Sequence, residues 1–589
     1  MNITRVFDLL ENQAQKFPKR DALATKEFGS WTTYSTQDLI DFSDRIALGL
    51  KKLGIQKEEK VAIISPNRPE WNFVDFGIQK MGAVSVPMYP TITAEDYAYI
   101  FEHSECKIIF AGTEEIYKKV LKAIEKVPTL SAKNVYTFDK ITDAQHWKTL
   151  NDLGLKENPK DLEPIKKSIQ EDDLLTIIYT SGTTGKPKGV MLSHKNIISN
   201  VKAAISNLLL TEEHKALSFL PLCHIFERTL TCAYFYKGIS IYYAESIDTI
   251  GENMKEIKPH VFTAVPRILE KVYEKILAKA RELSPVAHKL FNWALGLAEE
   301  YDTQGNKGLI YNLQLSLANN LVFDKWRDAL GGSVKYVVCG SAALNPKLTR
   351  IFWGACIPVL EGYGMTETSP VITASSPYKE EYVIGSVGKV IEGVQVKIAS
   401  DGEILVKGDN VMKGYYKEPE KTAEVFDEEG WLKTGDIGEF VQGKYLKITD
   451  RKKEIFKTSG GKYIAPQHIE GQLKLSLFIE QAMVVGENQK YPAVLITPFE
   501  QELKAWCLNE GIVYTNLTEM VKNPQVLSLF QDEINEVNNQ LAQYEKIKKF
   551  VVLANDWTIE GGELTPTLKL KRKNISEKYK IDIENLFKD

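Results

Sequence analysis

Residues 177–191 read Ile-Ile-Tyr-Thr-Ser-Gly-Thr-Thr-Gly-Lys-Pro-Lys-Gly-Val-Met, and they narrow the folds open to this chain more than any other stretch. A short apolar run of β character, Leu174 to Tyr179, feeds a loop of hydroxyls and glycines that ends in two lysines. Glycine lets backbone N–H groups approach and surround an anion where a side chain would stand in the way. Thr180, Ser181, Thr183 and Thr184 add hydroxyl donors, Gly182 and Gly185 add room for the backbone, and Lys186 and Lys188 add compact positive charge. The pattern reads as a cradle for polyphosphate; an ordinary Gly/Ser hairpin loop has no need of hydroxyls and cations at this density. It is not a Walker A loop, because after Gly182 the GxxxxGK[ST] order requires Gly-Lys where Pro187-Lys188 stand.

A chain of 589 residues exceeds one ordinary core, so at least two domains are expected. Val6 to Phe17 carries apolar residues at helical spacing and stops at Pro18. Strand-like runs at Val61 to Ile64, Lys107 to Ala111 and Leu175 to Tyr179 then alternate with helical patterns at Ser35 to Leu53 and Glu115 to Lys126. That rhythm predicts an α/β protein with parallel sheets covered by helices. From Gly385 the texture changes to short strands and turns, Val394 to Ile398, Glu403 to Val406 and Tyr445 to Ile448, which predicts a β-rich subdomain over residues 385–450. Five ionisable residues, Asp450 to Glu454, separate two apolar stretches and suit an exposed connection between domains.

The 26% of charged residues, balanced to a net charge of −4, excludes bulk affinity for nucleic acid. A local basic run at Lys569, Lys571, Arg572 and Lys573 has no aromatic residues among it and belongs to no recognisable nucleic-acid-binding fold. No apolar run approaches the roughly 18–20 residues that span a bilayer, and the N-terminus lacks the apolar stretch of a signal peptide. Six cysteines are scattered without metal-ligand spacing, which predicts free, mostly buried thiols and a cytoplasmic protein. Reversible contact with the inner face of a membrane stays open, as does oligomeric state.

Further motifs follow the loop in order. Gly340-Ser341-Ala342-Ala343-Leu344 is followed by Glu361-Gly362-Tyr363-Gly364-Met365-Thr366-Glu367-Thr368, then by Trp431-Leu432-Lys433-Thr434-Gly435-Asp436. Asp450-Arg451-Lys452-Lys453-Glu454 comes next, and Leu564-Thr565-Pro566-Thr567-Leu568-Lys569-Leu570-Lys571-Arg572 closes the series. With the loop, these resemble the adenylate-forming (AMP-binding) superfamily, the acyl-CoA synthetases and their relatives, along nearly the whole chain. The resemblance implies a luciferase-like multi-domain α/β fold, with an N-terminal nucleotide- and acyl-binding domain over residues 1–450. A small mobile C-terminal α/β lid would follow over 451–589, hinged at 450–453.

The chemistry this implies is the activation of a carboxylate, itself a poor electrophile, as a mixed anhydride with AMP that a thiol can attack. ATP, Mg²⁺ and CoA are the implied cofactor and co-substrates, and the partners are small molecules. Glu367 and Thr180 are the expected Mg²⁺ ligands, since that ion takes few protein ligands and completes its shell with phosphate and water. Thr180, Ser181, Gly182, Thr183, Thr184, Gly185 and Lys188 would hold the phosphates. Tyr363 would stack on adenine within the stretch Glu361, Gly362, Gly364 and Thr366, with Ser341 and Ala342 as a close wall. Asp436 would accept from both ribose hydroxyls, assisted by Arg451; Lys453 would be the pivot, and Lys457 and Tyr463 would line the nucleotide or the pantetheine path. His224, within Leu220-Pro221-Leu222-Cys223-His224-Ile225-Phe226, reads by itself as a core histidine, but the resemblance puts it beside the acyl carboxylate. Lys569, read as lying on a basic strand after a Thr-Pro turn, is the expected catalytic lysine of adenylation.

The long form of the hinge signature, from Glu429 to Glu470, resembles the long-chain fatty acyl-CoA synthetase branch, as do Thr263 to Tyr273 and Leu321 to Lys325. Leu568 stands where short-chain and aryl relatives usually carry glycine, and Lys433 where histidine is frequent. Two other readings remain: an acyl-AMP ligase that loads a carrier protein, and a fatty-acid-binding or uptake protein without catalysis.

Overall fold

The computed structural model describes residues 2–180, 186–205, 208–305, 307–565 and 568–588. The phosphate-loop residues Ser181, Gly182, Thr183, Thr184 and Gly185 lie outside the described residues, as do Pro566 and Thr567 of the C-terminal motif. The chain forms two compact units, one made of Met1–Lys397, Leu405–Lys433 and Phe440–Leu446, the other of Ile398–Ile404, Thr434–Glu439 and Lys447–Asp589.

The first unit is built on two sheets. One runs in the order Gly414–Tyr415, Lys188–Ser193, Leu174–Thr180, Val84–Met88, Lys60–Ile64, Ile108–Ala111, Val135–Thr137, Gln145–His146. Its strands from Leu174–Thr180 onward pair in parallel, and Lys188–Ser193 returns antiparallel beside Leu174–Thr180. In the other sheet, Leu23–Glu27, Ser240–Tyr243, Lys215–Ser218, Val261–Ala264, Tyr336–Cys339 and Val359–Gly364 are successive parallel neighbours. Alternation along strands sorts their residues to opposite faces: Val61 and Ile63 join one apolar cluster, Ala62 and Ile64 another.

The first of those clusters draws residues from both sheets and from two buried helices. Pro69–Lys80 is buried along its whole length, and Ile225–Lys237 at all but its last two residues. A helix this enclosed must satisfy its polar side chains internally. Arg228 donates to both carboxylate oxygens of Asp75, at 2.6 and 2.8 Å, to Ser85 Oγ at 2.9 Å and to Thr176 Oγ1 at 2.8 Å. One guanidinium thus ties two helices to two neighbouring strands, four residues before Thr180.

The second unit carries a three-stranded sheet in which Ile479–Val485 is antiparallel and Lys549–Val552 parallel to Ala493–Pro498. Ala482, Val484, Val494 and Ile496 face the helices Pro466–Leu473, Glu500–Asn509 and Pro524–Asn538, while Met483 and Leu495 pack with Trp557, Ile575 and Tyr579. Lys569 is not on a strand, contrary to the sequence reading. It sits in a tight loop closed by a single bridge between Leu564 and Leu570, with Thr565 N donating to Lys569 O at 2.8 Å and Lys569 N to Thr565 Oγ1 at 3.0 Å. The Thr565 hydroxyl, by accepting from Lys569 N, folds the chain back where a strand was expected.

Candidate active site

In the first unit the expected site residues gather at the ends of strands. Thr180 ends Leu174–Thr180 and is the register partner of Lys188 on the returning strand. Lys188 Nζ lies 4.7 Å from the centre of the Tyr415 ring, a cation–π approach. Tyr415, on the short strand that pairs with Met191 and Val190, donates its hydroxyl to Glu367 Oε1 at 2.8 Å. Thr180, Lys188 and Glu367 are therefore linked through Tyr415, which the sequence reading missed. Its only signal was an aromatic pair, Tyr415-Tyr416, in a turn-rich segment.

Glu367 is buried in the turn Thr366–Thr368, and the backbone around that turn is fastened from several sides. Asn200 Nδ2 donates to Val371 O at 2.7 Å, Asn410 Nδ2 to Thr368 O at 3.1 Å, and Thr229 Oγ1 to Ser369 O at 3.0 Å. Gly364 is required here by contact: a Cβ on it would stand 1.6 Å from Pro370 O. These amides and hydroxyls hold a carboxylate in place before any ligand arrives, and no local pattern marks them.

Ser341 and Ala342 follow strand Tyr336–Cys339, and Gly362, Tyr363 and Gly364 end its parallel neighbour Val359–Gly364. Both groups thus lie at carboxyl ends of adjacent parallel strands, the usual position of ligand sites in such sheets. Ser341 has φ 72, which turns the chain sharply toward helix Pro346–Gly354. His224 caps helix Ile225–Lys237, its Nδ1 accepting from Phe226 N at 3.2 Å. The Phe226 ring packs so closely on Gly340 that a Cβ there would meet it at 3.1 Å, which brings the His224 turn to the Ser341 loop.

Glu361 points elsewhere. Its carboxylate accepts from Tyr382 Oη at 2.9 Å and Thr349 Oγ1 at 3.2 Å inside the core, and burial raises its pKa to about 7. Glu227, beside His224 in sequence, is likewise buried between Ser218 and Thr263 and raised by burial to about 7. Glu227 thus ties its helix to two strands of the sheet, and Glu361 ties its strand to helix Pro346–Gly354 and to Tyr382.

In the second unit Asp436 is buried and faces Arg451, whose Nε lies 3.3 Å from Asp436 Oδ1. The next residue, Lys452, is anchored to Asp401 at 2.6 Å and Glu403 at 2.7 Å, and its N–H donates to Gly435 O at 2.9 Å. Lys453 is exposed. Lys457 and Tyr463 are register partners in a small hairpin, with Lys457 Nζ 5.2 Å from the Tyr463 ring. Beyond Lys453, Glu454 and Glu470 pair with Arg572 at 2.9 and 2.6 Å. Asp450, crowded by those two carboxylates, is pushed up to about 7, mainly by burial.

Residues 10–416 match the family model described as AMP-binding enzyme, and residues 453–589 match the AMP-binding enzyme C-terminal domain. The chain belongs to the AMP-binding enzyme family. Among curated relatives of this AMP-binding enzyme is long-chain-fatty-acid–CoA ligase FadD15 of Mycobacterium tuberculosis, 33% identical over 95% of this chain and 93% of that protein. Long-chain-fatty-acid–CoA ligase ACSBG2 of Xenopus laevis is 33% identical over 99% of this chain and 84% of its own length. Among solved structures, the adenylation domain of a carboxylate reductase from Mycobacterium chelonae superposes with a TM-score of 0.77 at 22% identity, over 99% of this chain and 91% of that one. The fold is that of the adenylate-forming enzymes.

Proposed function

We propose that this AMP-binding enzyme is a long-chain-fatty-acid–CoA ligase. It joins a fatty acid to ATP, giving acyl-AMP and pyrophosphate, and then passes the acyl group to CoA, giving acyl-CoA and AMP. The observation that carries this reading is the full ordered motif set, Thr180 to Lys569, on a chain one third identical to curated ligases of that name over 95% of its length.

The donors Thr180 and Glu367, a hydroxyl and a carboxylate, are hard oxygens that suit Mg²⁺, and they would hold it with phosphate and water completing the shell. When bound, the ion offsets the charge of the polyphosphate. Lys188 and the loop beside it grip the phosphates, Tyr363 stacks on adenine against Ser341 and Ala342, and Asp436 with Arg451 orients the ribose. His224 borders the acyl carboxylate, and Phe226, Leu230 and Tyr234 wall the apolar path of the acyl chain. Lys569 stabilises charge developing between carboxylate and α-phosphate, and the lid turns at Lys453 for the second step. Six free cysteines, Cys356 alone among them exposed, suit a reducing compartment.

The test is product analysis with the purified protein, ATP, Mg²⁺ and CoA. AMP and pyrophosphate with palmitoyl-CoA are expected; ADP and phosphate would overturn the adenylation step. A higher kcat/KM for acetate or benzoate than for palmitate would overturn the substrate class. Transfer to an acyl-carrier protein but not to free CoA would replace the ligase reading with the carrier-loading one.

A further inference from the structure

From Gly308 to Phe323 no side chain carries a charge. The segment forms helix Gly308–Ala318 and a wider-wound continuation, Asn319–Phe323. Leu309, Leu313, Leu317 and Leu321 recur every fourth residue and so share a face with Ile310. Their exposure runs from 47% at Leu321 to 84% at Leu309. The opposite face already holds the helix to the protein. Tyr311 Oη donates to Leu297 O at 2.7 Å, Asn319 Nδ2 donates to Gly354 O at 2.9 Å, and Ala318, Val322 and Phe323 are buried. A helix apolar on both sides normally has both sides covered. This one presents an aliphatic ridge to water.

The helices just before it expose mostly positive charge. Lys271, Lys275 and Lys279 recur at four-residue spacing along Pro266–Arg281 and are exposed, as are Arg281 and Lys289. Between Lys271 and Lys289 the one exposed acidic residue is Glu282, in a chain whose net charge is −4. Pro266–Arg281 packs on Pro285–Glu299, which packs on Gly308–Ala318, and Val286 in the first turn of Pro285–Glu299 is 80% exposed.

We propose that this three-helix segment is a surface that docks on an anionic lipid bilayer. The ridge enters the boundary between headgroups and acyl chains, and the lysines meet the headgroup phosphates. Among the described residues no helix is long and apolar enough to cross a membrane, so the ridge lies in the interface plane. Charge selects this occupant over a second copy of the chain. A two-fold contact sets the same patch against itself, bringing one lysine stripe toward the other, whereas an anionic lipid surface satisfies ridge and lysines together.

The test uses the full-length protein co-sedimented with vesicles of phosphatidylcholine, alone or mixed with phosphatidylglycerol. Wild type is expected to bind the mixed vesicles more tightly, with the difference lost in high salt. Leu313→Glu with Leu317→Glu should weaken binding to both vesicles by roughly tenfold or more. Lys275→Glu with Lys279→Glu should abolish the preference for the mixed vesicles and leave binding to phosphatidylcholine unchanged. All four positions lie on the surface, so thermal unfolding serves as the check that both variants are folded. Three outcomes would overturn the proposal: wild type that binds neither vesicle, a leucine variant that binds as wild type does, or a lysine variant that keeps the preference. A wild-type dimer split by the leucine pair, with vesicle binding unaltered, would assign the ridge to a second copy instead.

Discussion

Tyr415 donates its hydroxyl to Oε1 of Glu367 at 2.8 Å, across forty-eight residues of sequence and between two different strands' ends. A carboxylate that must take up a metal ion at once profits from being aimed beforehand, because nothing then has to be ordered during the reaction. Tyr415→Phe removes the donor and keeps the ring against Lys188. We expect a KM for Mg·ATP raised roughly tenfold with kcat little changed, about the value of one hydrogen bond to a charged group. Glu367→Gln should instead collapse kcat. Steady-state kinetics over a Mg²⁺ titration separates the two.

Arg228 and Asp75 form a buried pair that also binds Ser85 and Thr176. Removing one partner leaves an uncompensated charge in the core, a loss of about 3–5 kcal/mol. Arg228→Ala should lower the urea midpoint accordingly, and Asp75→Ala by a similar amount. The double replacement Arg228→Met with Asp75→Leu should recover much of the loss. Parallel denaturation curves of the variants check it.

Glu361 has a folded-state pKa of about 7, raised by burial. The folded protein therefore holds this proton more tightly than the unfolded chain, and stability falls as pH rises from about 4.5 to about 7, then levels. Glu361→Gln should flatten that share of the slope and make the variant relatively more stable at pH 8 than at pH 5. Thermal unfolding across the range reads it, and retained pyrophosphate exchange would show that the carboxylate does not contact the nucleotide.

Lys569 sits in the loop closed by Leu564 and Leu570. If it acts only as the developing charge forms, Lys569→Ala should slow ATP–pyrophosphate exchange roughly 10²-fold or more. Conversion of supplied acyl-AMP and CoA to thioester should stay near the wild-type rate. Equal loss in both assays would defeat the division of labour.

The parallel sheets were legible because their strands are continuous apolar runs, Val61 to Ile64 or Leu174 to Tyr179, punctuated by helical spacing. As site candidates, Thr180 at a strand's end, Ser341 just after a strand, Glu367 in a short turn and Asp436 within strand Leu432–Val441 were named from motifs that resemble the family. Tyr415, Asn200, Asn410 and Arg228 were not. They come from distant segments, and only the folded chain makes them neighbours. Lys569 was placed on a strand because the hydrogen bonds that fold its loop back onto Thr565 leave no mark in a short basic run. Leu568 carries its own trace of that loop: its φ of 59 lies in the left-handed region that favours glycine.

The anchoring of Lys452 bears on how such a chain could be recombined. Its partners Gly435, Asp401 and Glu403 all precede it, as does Asp436, the partner of Arg451, while Glu454 and Glu470 look forward to Arg572. A crossover at the peptide bond between Lys452 and Lys453 severs none of these ion pairs. One placed a few residues earlier, at Lys447, would pair a donor's arginine and lysine with a host's acids. That bond thus marks a place where carboxyl-terminal pieces can be traded between relatives with these ion pairs intact.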